Sequence, residues 1–501
     1  MNLSQITRNK FRDEGERIVL YFKDKTFTNY EMLRNFNKLA GALKELGVGK
    51  GDRVIVQMPN CPEVIDCFNA CWQIGAVIVP VNYLMNEEEI AYIYQDSGAR
   101  VVVSSTAYLP VVRAAGSRAP AVEHIIMTGS DLPADVLSFN ELRDNAREEH
   151  EYEDMGEDDL AALIYTAGTT GKSKGVMHTH HSLYANAEMQ FRTIKLPEPI
   201  VSLSVLPLCH SFGIATMNNR LFRAATGVLV DTFDLDVILS SIEKYKIQSM
   251  AGVPTMYVYL LMHPNPHKYD LSSMRYWLSG AAPLAMETWT RFKEVYGGEI
   301  IEGWGLTEAG ANNATNPFEG TKKVGSIGLP MKGTEMAIMD DKGNILPRGE
   351  MGEIVIRGPQ IMKGYWNKPE ETRQVLYDGW LHTGDVGYED EDSYFWITDR
   401  KKDIIIKGGE NISPRIIEEV LFSHPAVSEA AVIGVHDETY GENIRAFVVL
   451  NPGERTTAEE IIQFCQEELT GFLAPRDVVF LEALPKNLVG KVLKKELRKL
   501  A

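Results

Sequence analysis

Short runs of β-branched residues alternate with stretches of helix length along most of this chain. The first such runs lie at residues 54–56, 77–79 and 101–103, and a stretch long enough for a helix separates each from the next. Neighbouring parallel strands need a long crossover, usually a helix, so this order predicts a mostly parallel sheet with helices packed against it. The alternation then resumes at residues 160–165, 201–206, 228–230 and 247–253. We therefore predict an α/β fold with two such layered units.

Two later segments of the chain show different patterns of strands and helices. Between about residues 324 and 395, glycine-punctuated strands such as 335–339 and 353–357 follow one another with few helical periods between them. This pattern predicts an antiparallel or barrel-like subdomain. Beyond residue 403 the alternation of strand and helix returns, so we expect a separate small α/β domain of about 100 residues there.

The composition excludes several classes of protein. The 501 residues are 44% apolar and 24% charged, which is ordinary for a globular chain and excludes disorder and collagen-like repeats. A formal charge of −18 would repel a phosphate backbone, so nucleic acid is not an expected partner. Five cysteines, few and odd in number, argue against a secreted disulfide framework. We find no signal peptide and no transmembrane segment, and we expect a cytoplasmic protein.

The strongest local signal for chemistry follows the apolar strand at residues 160–164. The sequence Thr166-Ala-Gly-Thr-Thr-Gly-Lys-Ser-Lys-Gly175 places glycines, hydroxyl residues and two lysines in one turn. Such a loop can close backbone N–H groups and hydroxyls around phosphate oxygens, while the lysines offset the negative charge. The expected phosphate-binding residues are Thr166, Gly168, Thr169, Thr170, Gly171, Lys172 and Lys174.

The P-loop of nucleoside triphosphatases is the main alternative for this segment. Its pattern would use Gly171, Lys172 and Ser173 and would require glycine at position 166, where this chain has Thr166. The loop is therefore expected to bind phosphate on a different fold.

Five sequence blocks, taken together and in order, resemble the signatures of the adenylate-forming superfamily of acyl-CoA synthetases, luciferases and nonribosomal peptide adenylation domains. The phosphate loop is the first block. The others are Glu302-Gly-Trp-Gly-Leu-Thr-Glu308, Thr383-Gly-Asp385, the hinge block from Asp399 to Gly409, and Pro485-Lys-Asn-Leu-Val-Gly-Lys491. On these blocks the chain is identified as a member of the acyl-CoA synthetase branch, the ligases of fatty and aryl acids.

The resemblance implies a large N-terminal domain over residues 1–399, built from two α/β subdomains and a β-barrel-like subdomain. A hinge at residues 400–402 would join it to a small, mobile α/β C-terminal domain over residues 403–501. The resemblance also implies an ATP-dependent ligase that forms acyl-AMP and pyrophosphate from a carboxylic acid, and then acyl-CoA and AMP. ATP and CoA are the implied cosubstrates, and Mg²⁺ is the implied cofactor.

The same resemblance assigns roles within the nucleotide site. Glu308 would hold Mg²⁺, with Thr307 beside it, and Lys491 would bridge the carboxylate and the α-phosphate. Asp385 would accept hydrogen bonds from the ribose hydroxyls, and Arg400 would reach the ribose or the phosphate. The Trp304 ring would stack on adenine. The residues expected around the base and sugar are Gly280, Ala281, Ala282, Glu302, Gly303, Trp304 and Gly305.

For the second step, thioester formation, members of the family rotate the small C-terminal domain about the hinge, which corresponds to Lys402 here. Gly408 and Gly409 would then line the tunnel for the pantetheine thiol, where a Cβ could obstruct the substrate arm. The sequence continues for ten residues after Lys491, so we expect no fused carrier domain. CoA is the expected acceptor, and an acyl-AMP ligase that loads a stand-alone carrier protein is the alternative.

Two positions bear on the acid. Amino-acid-selecting relatives place Asp next to the aromatic residue that corresponds to Phe212, and here Gly213 follows it. A buried ammonium without that partner would be costly, so a plain carboxylic acid is favoured. Acetate-activating relatives carry a second Trp where this chain has Gly305, so we expect an acyl group larger than acetyl: fatty, cyclic or aromatic. The expected pocket walls are His210, Phe212, Ile214, Val253, Gly280 and Gly305.

Histidines raise two further questions. His210 is among the expected catalytic residues in a gating or orienting role, because an ionised carboxylate nucleophile needs no base. The cluster of His178, His180 and His181 lacks a second ligand group, so helix capping is favoured over metal binding. An oxidative, luciferase-like enzyme stays open as a different class, and so does the oligomeric state, a homodimer included.

Overall fold

The computed structural model describes residues 2–148, 151–166, 172–196, 199–469, 471–486 and 490–500. Its strands, in chain order, are β1 (Ile18–Phe22), β2 (Lys25–Thr28), β3 (Arg53–Gln57), β4 (Val77–Pro80), β5 (Val101–Ser105), β6 (His124–Thr128), β7 (Leu137–Ser138), β8 (Leu160–Thr166), β9 (Lys174–Thr179), β10 (Val201–Ser204), β11 (Thr226–Leu229), β12 (Ser249–Gly252), β13 (Tyr276–Ser279), β14 (Glu299–Trp304), β15 (Ala314–Thr315), β16 (Leu329–Pro330), β17 (Glu335–Met339), β18 (Gly352–Arg357), β19 (Gly364–Tyr365), β20 (Leu376–Tyr377), β21 (Trp380–Glu389), β22 (Phe395–Arg400), β23 (Ile405–Lys407), β24 (Glu410–Ile412), β25 (Val427–Asp437), β26 (Gly441–Leu450) and β27 (Asp477–Phe480).

The α-helices of the same described residues are α1 (Leu3–Asp13), α2 (Asn29–Glu45), α3 (Pro62–Gln73), α4 (Glu87–Ser97), α5 (Leu109–Ser117), α6 (Phe139–Asn145), α7 (His180–Thr193), α8 (Ser211–Arg223), α9 (Leu235–Tyr245), α10 (Pro254–Leu261), α11 (Met286–Tyr296), α12 (Pro369–Arg373), α13 (Pro414–Ser423), α14 (Ala458–Glu468) and α15 (Lys494–Leu497).

The first sheet has the strand order β19-β9-β8-β4-β3-β5-β6-β7. The six strands β8-β4-β3-β5-β6-β7 are all parallel to their neighbours in this order. Strand β9 runs antiparallel to both of its neighbours, β8 and β19. Val54 and Val56 belong to one hydrophobic cluster and Ile55 to another, because successive residues of a strand face opposite sides of the sheet. Helices cover both faces, which is why these strands appear in the sequence as continuous Val and Ile runs.

The second sheet has the strand order β16-β15-β14-β13-β12-β10-β11-β1-β2. Its pairs from β14 through β12, β10 and β11 to β1 are parallel, and the edge pairs are antiparallel. In a parallel sheet the carboxyl ends of neighbouring strands meet at one edge, where ligands usually bind. The segments that follow β12, β13 and β14 carry Val253, Gly280 and Gly305, so the sheet brings these predicted site residues to the same edge.

Two smaller sheets complete the fold. Strands β17-β18-β21-β20, with β22 on β21, form an antiparallel sheet. After the hinge block, β24-β23-β26-β25, with β27 on β26, form a fourth sheet. Ile417 of α13 and Ile461 of α14 are fully buried in the hydrophobic core of this last unit.

The predicted α/β fold class is confirmed, with two layered α/β units, an antiparallel unit and a small C-terminal α/β unit. The runs at residues 54–56, 77–79 and 101–103 lie within β3, β4 and β5, as expected. The exact domain bounds and the mobility of the C-terminal domain stay predictions.

Candidate active site

A cavity of about 1110 Å³ lies between the large N-terminal unit and the small C-terminal unit, over the carboxyl ends of β12, β13 and β14. Side chains of both units line it. It brings together most of the site residues predicted from sequence: Thr166, Lys174, His210, Phe212, Val253, Gly280, Ala281, Ala282, Glu302, Gly303, Trp304, Gly305, Thr307, Glu308, Asp385, Arg400, Lys402 and Lys491.

Ile214 is not in the cavity wall. It is 1% exposed and packs in the hydrophobic core between the first and second sheets. Phe212 and Ile214 are two positions apart on helix α8, so their side chains cannot share a face. This arrangement corrects the expectation that both residues form the acyl wall.

Three further predicted residues lie away from the cavity. The ammonium of Lys172 lies 4.9 Å from the ring centroid of Tyr92. Gly408 and Gly409 form the turn between β23 and β24, both with left-handed backbone, and Gly409 has open space around its Cα. The expected phosphate contacts Gly168, Thr169, Thr170 and Gly171 lie outside the described residues.

Asp385 connects two of the sequence blocks. Its carboxylate is 3% exposed, and its Oδ2 accepts a hydrogen bond from Nε1 of Trp304 at 2.9 Å. Its Oδ1 lies 2.9 Å from Nε of Arg400. The negative charge of Asp385 raises the pKa of Arg400, so the guanidinium stays charged within the cavity. The indole and the guanidinium are therefore both oriented by one buried carboxylate.

Three side chains hold the Thr307–Glu308 pair through contacts that the sequence did not indicate. The hydroxyl of Ser211 lies 3.0 Å from Oγ1 of Thr307, and Nε2 of His178 lies 2.7 Å from the Thr307 carbonyl oxygen. The phenol of Tyr365 donates to Oε1 of Glu308 at 2.8 Å. Burial lowers the pKa of His178 to about 4, so the ring is neutral and Nε2–H is the donor to that carbonyl. These partners come from distant parts of the chain, so no local motif pointed to them.

Lys491 and His210 are both affected by desolvation. Burial in the cavity, and then the nearby charge of Arg400, lower the pKa of Lys491 to about 8. Burial, followed by the charge of Lys491, lowers the pKa of His210 to about 4. His210 is therefore neutral near pH 7, and its Nδ1 accepts a 3.3 Å hydrogen bond from the backbone N–H of Phe212 at the start of α8. With a pKa this low the imidazole is a weak base, and its Nδ1 is already used as an acceptor, so the contacts of His210 agree with an orienting role.

Glu302 has a different charge state. Burial raises its pKa to about 7, although the backbone N–H of Gly325 donates to its Oε2 at 2.9 Å. The carboxyl is therefore partly protonated near neutral pH. In that form it can donate a hydrogen bond as well as accept one.

Close packing requires glycine at position 305 and disfavours a side chain at position 280. A Cβ added at Gly305 would overlap the carbonyl group of Ala311, so this backbone path allows only glycine. A Cβ at Gly280 would lie 3.3 Å from the Gly303 carbonyl oxygen and from the ring of Phe212. Both glycines keep the chain close to the cavity without filling it.

Within the described part of the chain, no group of three His, Cys, Asp or Glu side chains is placed to hold a metal ion. His178 contacts Thr307, and Nδ1 of His180 accepts a hydrogen bond from the backbone N–H of Leu3 at 3.3 Å. In the same residues no helix has the length and apolar character needed to cross a membrane.

Comparison with known families agrees with this site. The model of the AMP-binding enzyme family matches residues 7–366, and that of the AMP-binding enzyme C-terminal domain matches residues 416–491. The chain belongs to the AMP-binding enzyme family. The recognition of an adenylate-forming enzyme from its sequence blocks is confirmed.

This AMP-binding enzyme is similar to CoA ligases, and the similarity extends over nearly the full length of both chains. A long-chain-fatty-acid–CoA ligase of Bacillus subtilis is 37% identical over 513 residues, which cover 96% of this chain and 91% of the relative. A feruloyl-CoA synthase of Amycolatopsis is 36% identical and covers 94% of this chain and 93% of the relative. The predicted acyl-CoA synthetase branch, an acid–thiol ligase, is thereby confirmed.

Solved structures of the family have the same fold. The anthranilate CoA ligase AuaEII, in complex with anthranoyl-AMP, superposes with a TM-score of 0.95 at 30% identity, over 100% of this chain and 97% of that one. ATP-bound MatB of Rhodopseudomonas palustris gives a TM-score of 0.92 at 30% identity, over 100% and 99%. Apo MatB gives a TM-score of 0.80 at 31% identity, over 100% and 99%. The whole chain therefore superposes better on the ATP-bound form of MatB than on its apo form.

The loop that carries Lys491 docks directly on the large unit of this AMP-binding enzyme. Gly490 has a φ of 74°, and a Cβ there would overlap Oγ1 of Thr255 at the start of α10. Behind the loop, Arg498 pairs with Asp403 at 2.8 Å, which fixes the chain after Lys491 to the residues after the hinge. Glycine at position 490 therefore allows Lys491 to reach the cavity.

Replacing Gly490 by Ala is expected to displace the loop. Left-handed backbone costs alanine about 1 kcal/mol and the overlap with Thr255 adds to it, so we expect trypsin to cleave after Lys491 about tenfold faster. Limited proteolysis with mass spectrometry of the fragments measures this rate. The double variant Thr255→Ala/Gly490→Ala removes the overlapping oxygen but keeps the left-handed backbone, so we expect its cleavage to be about fivefold faster than that of the wild type, between the two others. Equal cleavage of the wild type and Gly490→Ala would contradict the docking contact.

Proposed function

We propose that this protein activates a carboxylic acid with ATP and then transfers the acyl group to CoA. A carboxylate oxygen attacks the α-phosphorus, the bond to pyrophosphate breaks, and acyl-AMP forms. The CoA thiol then attacks the acyl carbon and loses its proton to solvent, while AMP leaves with the bridging oxygen. The observation that carries the proposal is the convergence of Lys491 with Asp385, Arg400 and the Thr307–Glu308 pair in one cavity.

The cavity supplies positive charge where two anions must meet. Lys491, Arg400, Lys402 and Lys174 all line it. A carboxylate and a triphosphate repel each other, and fixed cations in a desolvated site offset this repulsion without solvent reorganisation. We assign Lys491 to the bridge between the attacking carboxylate and the α-phosphate.

The nucleotide would lie along the segments that follow β13 and β14. Trp304 would stack on adenine, with the backbone of 280–282 behind the base and sugar. Asp385 uses one oxygen for Trp304 and the other for Arg400, and each carboxylate oxygen has a second lone pair for a ribose hydroxyl. The loop at 166–174 would hold the phosphates, and Thr166 and Lys174 are its described residues on the cavity.

Glu308 fits the role of a Mg²⁺ ligand. The hydroxyl of Tyr365 donates to its Oε1, and among the described residues Oε2 has no hydrogen-bond partner. Mg²⁺ usually binds one or two carboxylates together with substrate phosphates and water, so one ionised carboxylate next to a phosphate site is sufficient. A bound Mg²⁺ would neutralise phosphate charge, while Glu308 and Thr307 would position it.

For the acyl group we propose the part of the cavity lined by His210, Phe212, Val253, Gly280 and Gly305. Its extent beyond these residues favours a fatty, cyclic or aromatic acid over acetate. The relatives named above, a long-chain-fatty-acid–CoA ligase and a feruloyl-CoA synthase, take a fatty and an aryl acid respectively.

The thioester step would require rotation of the small domain, residues 403–501, about a hinge at 400–402. Lys491 lines the cavity, whereas Gly408 and Gly409 lie away from it, which is the arrangement suited to the adenylation step. Rotation would move Lys491 out of the cavity and bring Gly408 and Gly409 towards it. CoA is the proposed acceptor because the similar proteins are CoA ligases and synthases; a carrier protein is the alternative.

The test is product formation with a panel of acids. We expect AMP, pyrophosphate and acyl-CoA from ATP, CoA and a larger acid, and little from acetate. Lys491→Ala should lower the adenylation rate by about 100-fold or more, because it removes a cation that acts on the transition state. Pyrophosphate release without CoA-dependent turnover would move the acceptor to a carrier protein. ADP and phosphate as products, unchanged by Lys491→Ala, would contradict the proposal.

The pH dependence of adenylation should report Lys491. Its pKa of about 8 in the free enzyme means that the ammonium loses its proton as the pH rises through 8. The kcat/KM for ATP, which reports the free enzyme, should therefore fall above pH 8. Lys491→Arg keeps its charge to higher pH, so its profile should stay flat between pH 7 and pH 10. The same fall in both proteins would assign the titration to another group.

A further inference from the structure

Two buried arginines in the last turn of helix α8 line the same cavity, whereas His210, whose pKa is lowered by the charge of Lys491, precedes the first residue of that helix. Arg220 is 5% exposed and Arg223 is 6% exposed. A charged side chain is seldom buried so deeply unless it is paired. The two arginines differ in how the protein satisfies them.

Arg223 is committed to protein groups. Its Nε donates to Oδ1 of Asn219 at 3.1 Å, and its Nη2 donates to the carbonyl oxygens of Phe191 at 3.3 Å and Ile194 at 2.7 Å. Its guanidinium also lies 4.7 Å from the ring centroid of Phe191. These contacts give Arg223 a structural role that needs no ligand.

The guanidinium of Arg220 has far fewer hydrogen-bond partners than that of Arg223. Among the described residues its side chain makes one hydrogen bond, from Nη1 to the carbonyl oxygen of Val19 at 3.1 Å, and it forms no ion pair. Burial lowers its pKa to about 10, with no contribution from a charged neighbour, so it is still cationic at neutral pH. An isolated buried charge is costly, and an anion entering the cavity would offset that cost.

The sheet places polar groups around this arginine. A Cβ at Gly227 would lie 2.6 Å from Cδ of Arg220, so the arginine stem lies flat against β11. Gly227 pairs with Ser202 of β10, which pairs with Ser249 of β12, and both serines line the cavity. Asn219 also lines it and has a buried Nδ2 without a hydrogen-bond partner in the described residues. Guanidinium, hydroxyl and amide N–H groups are the donors that a carboxylate accepts from.

The row Gly227–Ser202–Ser249 is separated from the reaction site along the strands. From Ser249 to Val253, where the acyl part of the cavity begins, the chain runs four residues, which is roughly 13 Å in a strand. A substrate would have to be extended to reach both positions.

We propose that the acid activated by this enzyme carries a second carboxylate, and that Arg220 binds it. The substrate class is an α,ω-dicarboxylic acid of medium length. One carboxylate is adenylated near Lys491, and the other pairs with Arg220 and the Ser202 and Ser249 hydroxyls. This proposal rests on the ligase function proposed above and specifies its substrate.

The experiment compares matched acids on the complete enzyme. Adipate, suberate and sebacate are set against hexanoate, octanoate and decanoate, with monomethyl suberate as a probe that has the same length and one charge. We expect kcat/KM for the best diacid to exceed that of its monoacid and of the monomethyl ester by about 30-fold or more. A monoacid or the ester would leave the buried charge of Arg220 without an anionic partner, whereas the diacid would pair with it.

The variants assign this preference to one residue. Arg220→Met should remove the diacid preference by lowering kcat/KM for the diacid to about that for the monoacid, and Arg220→Lys should retain part of the preference. Arg223→Met is the matched control: it removes an equally buried arginine of the same helix, and the ratio of diacid to monoacid should stay as in the wild type.

The outcomes separate this proposal from the ligase function. Turnover of monoacids with no diacid preference at any length would overturn the role of Arg220 and leave the ligase function standing. A diacid preference that survives Arg220→Met would also overturn it. No AMP formation with any acid would remove the ligase function and this proposal together. If Arg220→Met does not fold, the comparison of suberate with its monomethyl ester on the wild type decides.

Discussion

The buried carboxylate of Asp385 fixes the geometry on which the rest of the site depends. One of its oxygens accepts from the indole of Trp304, at the end of a central parallel strand, and the other pairs with Arg400, the last residue of β22. The next residue, Lys401, donates its backbone N–H to the carbonyl of Gly384 at 2.8 Å. The first residues of the proposed hinge are thus hydrogen-bonded to the floor of the proposed nucleotide site, and the proposed rotation of the small domain would take place about this fixed point.

The charges explain why the docked conformation should respond to nucleotide. The chain carries a formal charge of −18, yet Lys491, Arg400 and Lys402 meet in one desolvated cavity. Burial, and then repulsion from Arg400 and Lys402, lower the pKa of Lys491 to about 8. A bound triphosphate would relieve this repulsion and so favour the docked conformation over the rotated one. Once pyrophosphate leaves, part of that attraction would be lost, and the proposed rotation would then withdraw Lys491 from the cavity before the thioester step.

The sequence predicted the fold class and most of the cavity because the relevant signals are local. Val and Ile runs separated by helix-length stretches identify parallel strands, and ordered blocks such as Glu302–Glu308 identify the edge where they end. Helix α8 shows where this reasoning fails: Phe212 lines the cavity, whereas Ile214 packs in the core, because sequence proximity does not fix the face of a helix.

Contacts between distant segments are a second limit of the sequence. The contacts of Tyr365 with Glu308 and of Gly490 with Thr255 join distant segments, so no local pattern indicates them. The isolation of Arg220 likewise becomes visible only when its surroundings are known.

The central claim is that one cavity, completed by Lys491, joins a carboxylate oxygen to the α-phosphorus of ATP. The most direct measurement follows that oxygen. With acid labelled with ¹⁸O in its carboxylate, in the presence of ATP and CoA, the account predicts that mass spectrometry finds one labelled oxygen in each AMP formed and none in pyrophosphate. Label found in inorganic phosphate, or AMP formed without label, would contradict it.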